Sequence, residues 1–247
     1  MASTVSRSGA SAKLTDLHER FIVEKREMDP AARRQLFTIA AALAVVGVVG
    51  FAIILAVVVR AGGPTALDAA MREWLMAGRS ETWTPGMIVV SFVFGPVFFP
   101  FFALALTVGW VLLARHLWRP ILLAVGTGVA VAGVRLMAIA VGRERPPAAD
   151  MLTEVDTSES FPSGHVVGAT TFILLIAYLV FSRRQSRRMA AISFAVAGLA
   201  IVVTSLSRMY LGYHWATDVL GSVFLSLVVL GAVIAVDTRR TTVPRGG

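Results

Sequence analysis

Residues 37–59 read FTIAAALAVVGVVGFAIILAVVV, a run without a single charge. Its length exceeds the roughly 18 apolar residues that divide a membrane span from a buried core helix. It is also too long, and starts too far from Met1, for a cleaved signal peptide, so it reads as an uncleaved signal anchor. Five further apolar windows follow at 87–114, 121–141, 166–181, 190–205 and 215–236. The 247-residue chain is 56% hydrophobic, with mean hydropathy +0.75. The expected fold is therefore all-α, a polytopic membrane protein with six transmembrane helices.

Six crossings put both termini on one side, and the basic residues say which. Of the 23 lysines and arginines, 16 fall in the N-terminal tail, the Arg115/Arg119 turn, the loop with Arg183, Arg184, Arg187 and Arg188, and the tail with Arg239, Arg240 and Arg245. Such residues are retained in the cytoplasm. Both termini are thus expected there, in a multi-pass protein of the cell membrane. The organisation that follows is a polar cytoplasmic arm at 1–36, ending in the Asp29-Pro30 break, a membrane domain at 37–236 and a cytoplasmic tail at 237–247. Topology and the anionic headgroups of membrane lipids account for the net charge of +8, which therefore gives no reason to invoke nucleic acid. The lack of cysteine excludes disulfides, thiol nucleophiles and cysteine-ligated zinc.

Two details qualify the spans. Pro64 and Thr65 open a segment with Leu67, Met71, Trp74 and Leu75 on one helical face and Asp68, Arg72 and Glu73 elsewhere, the pattern of a short interfacial helix on the outer leaflet. The second window carries Gly95, Pro96 and Pro100, which favours a kink over two separate crossings.

The chemistry lies where spans meet water, on the side away from the termini, periplasmic or extracellular. Pro162-Ser163-Gly164-His165 precedes the fourth span. Ser163 suits a helix N-cap, and the first-turn N–H groups offer partial positive charge to an anion. Gly164 allows close approach, and His165 stands in the first turn, where an imidazolium can donate to a leaving oxygen. His214 and Asp218 are four apart at the start of the sixth span. That spacing stacks them on one helical face, so the carboxylate can accept the imidazole Nδ1–H and leave Nε2 free to attack phosphorus. Asp218 also interrupts an apolar stretch, where an ionisable group marks a functional site. Arg208 has the planar fork that clamps phosphate oxygens, and Arg143-Glu144-Arg145-Pro146 brings further guanidinium groups to the same end.

On these residues the chain resembles the type 2 phosphatidic acid phosphatase superfamily of integral membrane lipid phosphatases. The Pro-Ser-Gly-His signature matches at Pro162–His165. The Ser-Arg, five residues, His, three residues, Asp signature matches from Ser207 and Arg208 through His214 to Asp218. The first signature, Lys, six residues, Arg-Pro, matches only at Arg145-Pro146, because the lysine position holds Ala138. The resemblance implies a hydrolase in which His214 is the nucleophile that forms a phosphohistidine, Asp218 orients it and His165 is the acid. Arg145, Arg208, Ser163 and Gly164 would bind the phosphate of a lipid phosphate or diphosphate, of the polyprenyl diphosphate or phosphatidate class. It also implies no metal ion or other cofactor, and Asp150, Glu154, Asp156 and Glu159 read as a solvated loop.

Ala138 leaves one cation missing. Arg135, one turn deeper in the third span, and Arg143, nearer the water, are the candidates to replace it, with Arg135 favoured because an arginine inside an apolar span needs an anion or a wet cavity. Two rivals share the sequence: a phosphotransferase using the same histidine, and a lipid-binding or lipid-moving membrane protein with a degenerate site.

Overall fold

The computed structural model describes residues 23–95, 97–182 and 187–245. Residues 1–22 of the N-terminal arm, Pro96, residues 183–186 of the basic loop and the last two residues lie outside the described part. The described chain begins with strand β1 (Arg26–Met28) and continues into α1 (Pro30–Ala61). Asp29 caps α1 by accepting from Ala32 N, Pro30 supplies a preset first turn, and Gly62 ends it in the left-handed conformation. The helix therefore starts seven residues before the apolar run. Next come α2 (Ala66–Ala77), α3 (Thr84–Val93), α4 (Phe98–Leu113), α5 (Trp118–Val141), α6 (Gly164–Phe181), α7 (Arg187–Tyr210), α8 (Ala216–Thr241) and strand β2 (Thr242–Pro244).

Five of these helices, α1 and α5 to α8, are long and apolar enough to cross a membrane. The number is six if α3 and α4, which meet at 50°, are counted as one bent span. The bend falls at Gly95, where the sequence predicts a kink.

The bundle is organised around α6. Leu123 of α5, Phe172, Leu175, Tyr178 and Leu179 of α6, and Leu230 and Ile234 of α8 form its main core. Polar pairing supplements it, as when Thr171 donates to Ser226 across the α6–α8 seam at 3.1 Å. α1 lies against α8, with close backbone approach at two glycines. A methyl group on Gly47 would come 2.7 Å from Phe224 O, and one on Gly231 would come 2.6 Å from Ala40 O. Glycine is what lets the two backbones approach this closely.

β1 pairs in parallel with β2, and Arg33 donates to Thr242 Oγ1 at 3.1 Å. These contacts hold the beginning and end of the described chain together at one end of the bundle. Near that end Asp237 receives Arg119 at 2.7 Å and the Tyr178 hydroxyl at 3.0 Å. The motif residues lie at the opposite end, separated by the 26 residues of α8, or about 39 Å.

α2 falls where the sequence reads a short helix. It is capped by a reciprocal box in which Thr65 and Asp68 bond each other's backbone N–H. The residues it buries are Asp68 and Leu75, while Leu67 and Trp74 are exposed. Leu75 joins Tyr210, Leu211 and Tyr213 in a small cluster, which docks α2 on the turn between α7 and α8.

Candidate active site

Four helix ends converge here. Gly142 closes α5 in the left-handed conformation, donating to Ala138 O, and turns the chain so that Arg143 and Arg145 enter the site. Ser163 caps α6, accepting from Val166 N at 3.3 Å. Its backbone is tied to Ser222 of α8 by Ser163 N donating to Ser222 Oγ at 2.9 Å. Arg208 ends α7, and Gly212, with φ of +83°, makes the turn that delivers Tyr213 and His214. Trp215 N donates to Asp218 Oδ2 at 2.8 Å, which fixes the carboxylate at the start of α8.

His214 is buried, with Nδ1 3.4 Å from Asp218 Oδ2. The contact is long for a hydrogen bond, and Nδ1 has no closer partner among the described residues. Nε2 lies 3.2 Å from Arg145 Nη1. Burial pushes the His214 imidazole down to about 4; Asp218 opposes that shift, while Arg145 and Arg208 add to it. That direction favours the uncharged ring, the form a nucleophile needs.

Arg145 donates to Ser158 O at 2.8 Å, to Tyr213 O at 2.8 Å and to Ser158 Oγ at 3.0 Å. It also pairs with Asp156 at 2.9 Å. Burial lowers the pKa of its guanidinium, against the pull of Asp156 and Asp218. For Asp156, burial acts upward, but the Ser158 N–H and hydroxyl and the charge of Arg145 outweigh it and hold the carboxyl below its usual range. Arg208 donates to Ser91 Oγ at 2.7 Å and stacks 4.1 Å over the Tyr213 ring.

His214, His165, Gly164 and Arg145 border one cavity of about 410 Å³, whose far wall is Phe94, Phe99, Pro100, Val131 and Val134. A neighbouring cavity of about 690 Å³ shares His165 and adds Arg208, Ser91 and Tyr213. His165 thus stands between the two. Ser163 is fully buried behind them as a cap.

The two candidate substitutes for the missing lysine separate clearly. Ala138 and Arg135 both border the 410 Å³ cavity. The Arg135 side chain is 66% exposed, with only a 3.5 Å contact to Glu159. Arg143 is instead buried, donating to Asp218 Oδ1 at 2.5 Å, Asp68 Oδ2 at 2.7 Å and Thr217 Oγ1 at 2.7 Å. It lies behind Asp218 and borders neither of these cavities.

The acidic loop is solvated only in part: Glu154 is exposed as expected, but two of its carboxylates are engaged. Asp150 is buried and paired with Arg72 at 2.6 Å, and Asp156 holds Arg145. Charge spacing could not reveal partners 78 residues away. Sequence reasoning also missed Ser160, whose hydroxyl donates to Asp218 Oδ2, and Asp68. The Thr65–Asp68 capping-box spacing was the available signal for the latter, but it points only to a helix start. Among the described residues no three histidines or carboxylates come together as metal ligands.

The sequence model of the PAP2 superfamily matches residues 118–242. Phosphatidylglycerophosphatase B of Bacillus subtilis (strain 168) is 35% identical over 101 residues, 39% of this chain and 47% of that protein. The match thus spans about half the length of this relative. The fold is similar to the crystal structure of a transmembrane PAP2-type phosphatidylglycerolphosphate phosphatase from Bacillus subtilis, with TM-score 0.69 and 23% identity, covering 81% of this chain and 98% of that one. Aquifex aeolicus LpxE is similar at TM-score 0.51 and 18% identity, over 69% of this chain and 95% of its own. At these identities the two structures speak for the fold.

Proposed function

The chain belongs to the PAP2 superfamily, and from that premise we propose that it is a membrane lipid phosphatase acting through a phosphohistidine at the outer face of the cell membrane, with both termini cytoplasmic. One observation carries the reading: a buried His214 backed by Asp218 shares a cavity with His165 and Arg145, and one wall of that cavity, Phe94, Phe99, Pro100, Val131 and Val134, is apolar. The polar end suits a phosphate and the apolar wall suits the lipid attached to it.

In the first half-reaction His214 Nε2 attacks phosphorus, the bond from phosphorus to the leaving oxygen breaks, and that oxygen takes a proton from His165. In the second, His165 takes a proton from water, the water oxygen attacks phosphorus, the P–N bond breaks and orthophosphate leaves. Arg145 and Arg208 balance the equatorial oxygens in both transition states. Arg145 turns from Asp156 and Nε2 to the phosphate as it does so. No step calls for a metal ion. The substrate is an anionic lipid with a terminal phosphate or diphosphate, a class that includes the phosphatidylglycerol phosphate named in two of the similar proteins, phosphatidate and polyprenyl diphosphate.

The test is phosphate release by the purified full chain in detergent from these three lipids. The expected result is release without an added acceptor, retained in EDTA and inhibited by orthovanadate, whose five-coordinate geometry imitates the transition state. No release from any of them, or release only when an acceptor alcohol is present, would overturn the hydrolase reading. Complete loss in EDTA, restored by a divalent ion, would overturn metal independence.

Arg135 is the residue that stands in for the lysine replaced by Ala138, since it borders the cavity and has only a long contact to Glu159. Arg135→Ala is expected to lower kcat/KM at least about tenfold, with a larger effect at low salt because the group is exposed. Ala138→Lys should restore part of it. Unchanged steady-state kinetics in a folded Arg135→Ala protein would remove Arg135 from the site.

A further inference from the structure

We propose that Asp68, on α2, is a positioning residue for the His214–Asp218 pair, acting through Thr217 and Arg143. The inference rests on the nucleophilic role given to His214 above.

The first turn of α8 has unpaired N–H groups, as every helix start does, and its N-cap residue is Trp215, which offers no side-chain acceptor to them. The Asp218 carboxylate is already turned back to Trp215 N. The missing acceptor comes from a different helix: Thr217 N donates to Asp68 Oδ1 at 2.9 Å, and the Thr217 hydroxyl donates to the same carboxylate. Asp68 therefore caps α8 from outside it, with a full negative charge at the positive end of the helix dipole.

Its second oxygen acts on Arg143. One guanidinium bridges two carboxylates, Asp68 Oδ2 at 2.7 Å and Asp218 Oδ1 at 2.5 Å, and all three side chains are at most 6% exposed. Taking such charges out of water is expensive, and an ion pair of this kind seldom adds net stability over apolar packing. What it does supply is a fixed direction. Asp68 holds one edge of Arg143, so Asp218 meets only the other edge through Oδ1, leaving Oδ2 turned toward Ser160, Trp215 N and His214 Nδ1. Without the Asp68 charge, Asp218 is the one carboxylate left on Arg143, and a guanidinium facing a single carboxylate closes into a two-point pair. That would draw Oδ2 off His214 and leave Thr217 N short of its charged acceptor. Asp68 is suited to the task because it stays ionised: burial acts to raise its carboxyl, but the N–H groups of Thr217 and Thr65 and the Arg143 guanidinium outweigh burial and hold it low. Arg72, which pairs with Asp150, clamps α2 to the chain around the His214 turn, and Arg79, just beyond the end of α2, donates to Tyr210 O at 3.0 Å.

Asp68→Asn keeps the shape and an acceptor oxygen and removes the charge. The experiment is calorimetric titration of the full chain in detergent with orthovanadate and, separately, inorganic phosphate. Vanadate takes an imidazole nitrogen as an apical ligand and so reads the aim of His214, whereas phosphate reads anion binding alone. Asp68→Asn is expected to weaken vanadate at least about tenfold while phosphate changes less than about twofold. In turnover, kcat should fall at least about tenfold with KM within about threefold, the signature of an interaction used in the transition state. Thr217→Val, which removes the hydroxyl between Arg143 and Asp68, should move vanadate in the same direction by less, and it decides the matter if Asp68→Asn does not fold. Equal vanadate binding by the wild type and a folded variant, or parallel weakening of both anions, would reduce Asp68 to scaffolding and overturn the proposal. A wild type that binds phosphate but not vanadate would instead overturn the histidine nucleophile, and this inference with it.

Discussion

His214→Ala is expected to abolish phosphate release, by at least about 10³-fold, because the covalent route disappears with its nucleophile. The loss should be confined to chemistry. Asp218 keeps Arg143, Ser160 and Trp215 N as partners when the ring is gone, so the start of α8 holds its shape. His165→Ala removes a proton donor from an otherwise intact route and should cost about 10²- to 10⁴-fold. Quenched single-turnover reactions distinguish the two: an acid-labile phosphoprotein forms in wild type, fails to form in His214→Ala, and builds up in His165→Ala with a substrate whose leaving group needs no proton. Near-normal phosphate release from a folded His214→Ala protein would sink the phosphohistidine.

The second large effect falls on a residue with no functional group. Gly212 has φ of +83°, and a methyl group there would overlap the carbonyl oxygen of Asp150. Alanine carries roughly 1–2 kcal/mol of left-handed strain, and relief of the overlap must move either the Asp150 loop or the turn that carries His214. Gly212→Ala should therefore lose about 2–4 kcal/mol of stability and at least about 10²-fold in kcat, since a 1 Å displacement of a reacting group has that effect. Gly62→Ala is the control: it has φ of +60° but open space around the added methyl, so it should show strain alone, with turnover kept. Thermal unfolding and kcat of the two variants side by side give the comparison, and equal losses in both would show that the Asp150 contact is immaterial.

Much of this was legible in the sequence, and the parts that were not share a cause. The helices carrying the signatures, the capping role of Ser163, the bend at Gly95 and the spacing of His214 and Asp218 are all set by local chemistry. Helix ends were less so. α1 begins at Pro30, because a helix runs on past the apolar run until a cap, here Asp29, stops it, while a hydropathy window ends at the first charges. Asp68 was missed for a different reason. The spacing separates it from the face of Leu67, Met71 and Trp74, but it cannot tell that the polar side of the helix meets a buried network of charges. α2 buries Asp68 and turns Trp74 outward. The partners of Asp150, Asp156 and Arg143 were invisible because they are tertiary, 78, 11 and 75 residues distant in the chain.

The parallel pairing of β1 with β2 closes the polypeptide into something close to a ring, its seam about 39 Å from the chemistry. A tensile load applied at either end of the described chain meets that seam, beside the glycine-lined contact of α1 with α8. A pull on Arg26–Met28 or on Thr242–Pro244 is thereby taken up at the end of the bundle away from the reaction.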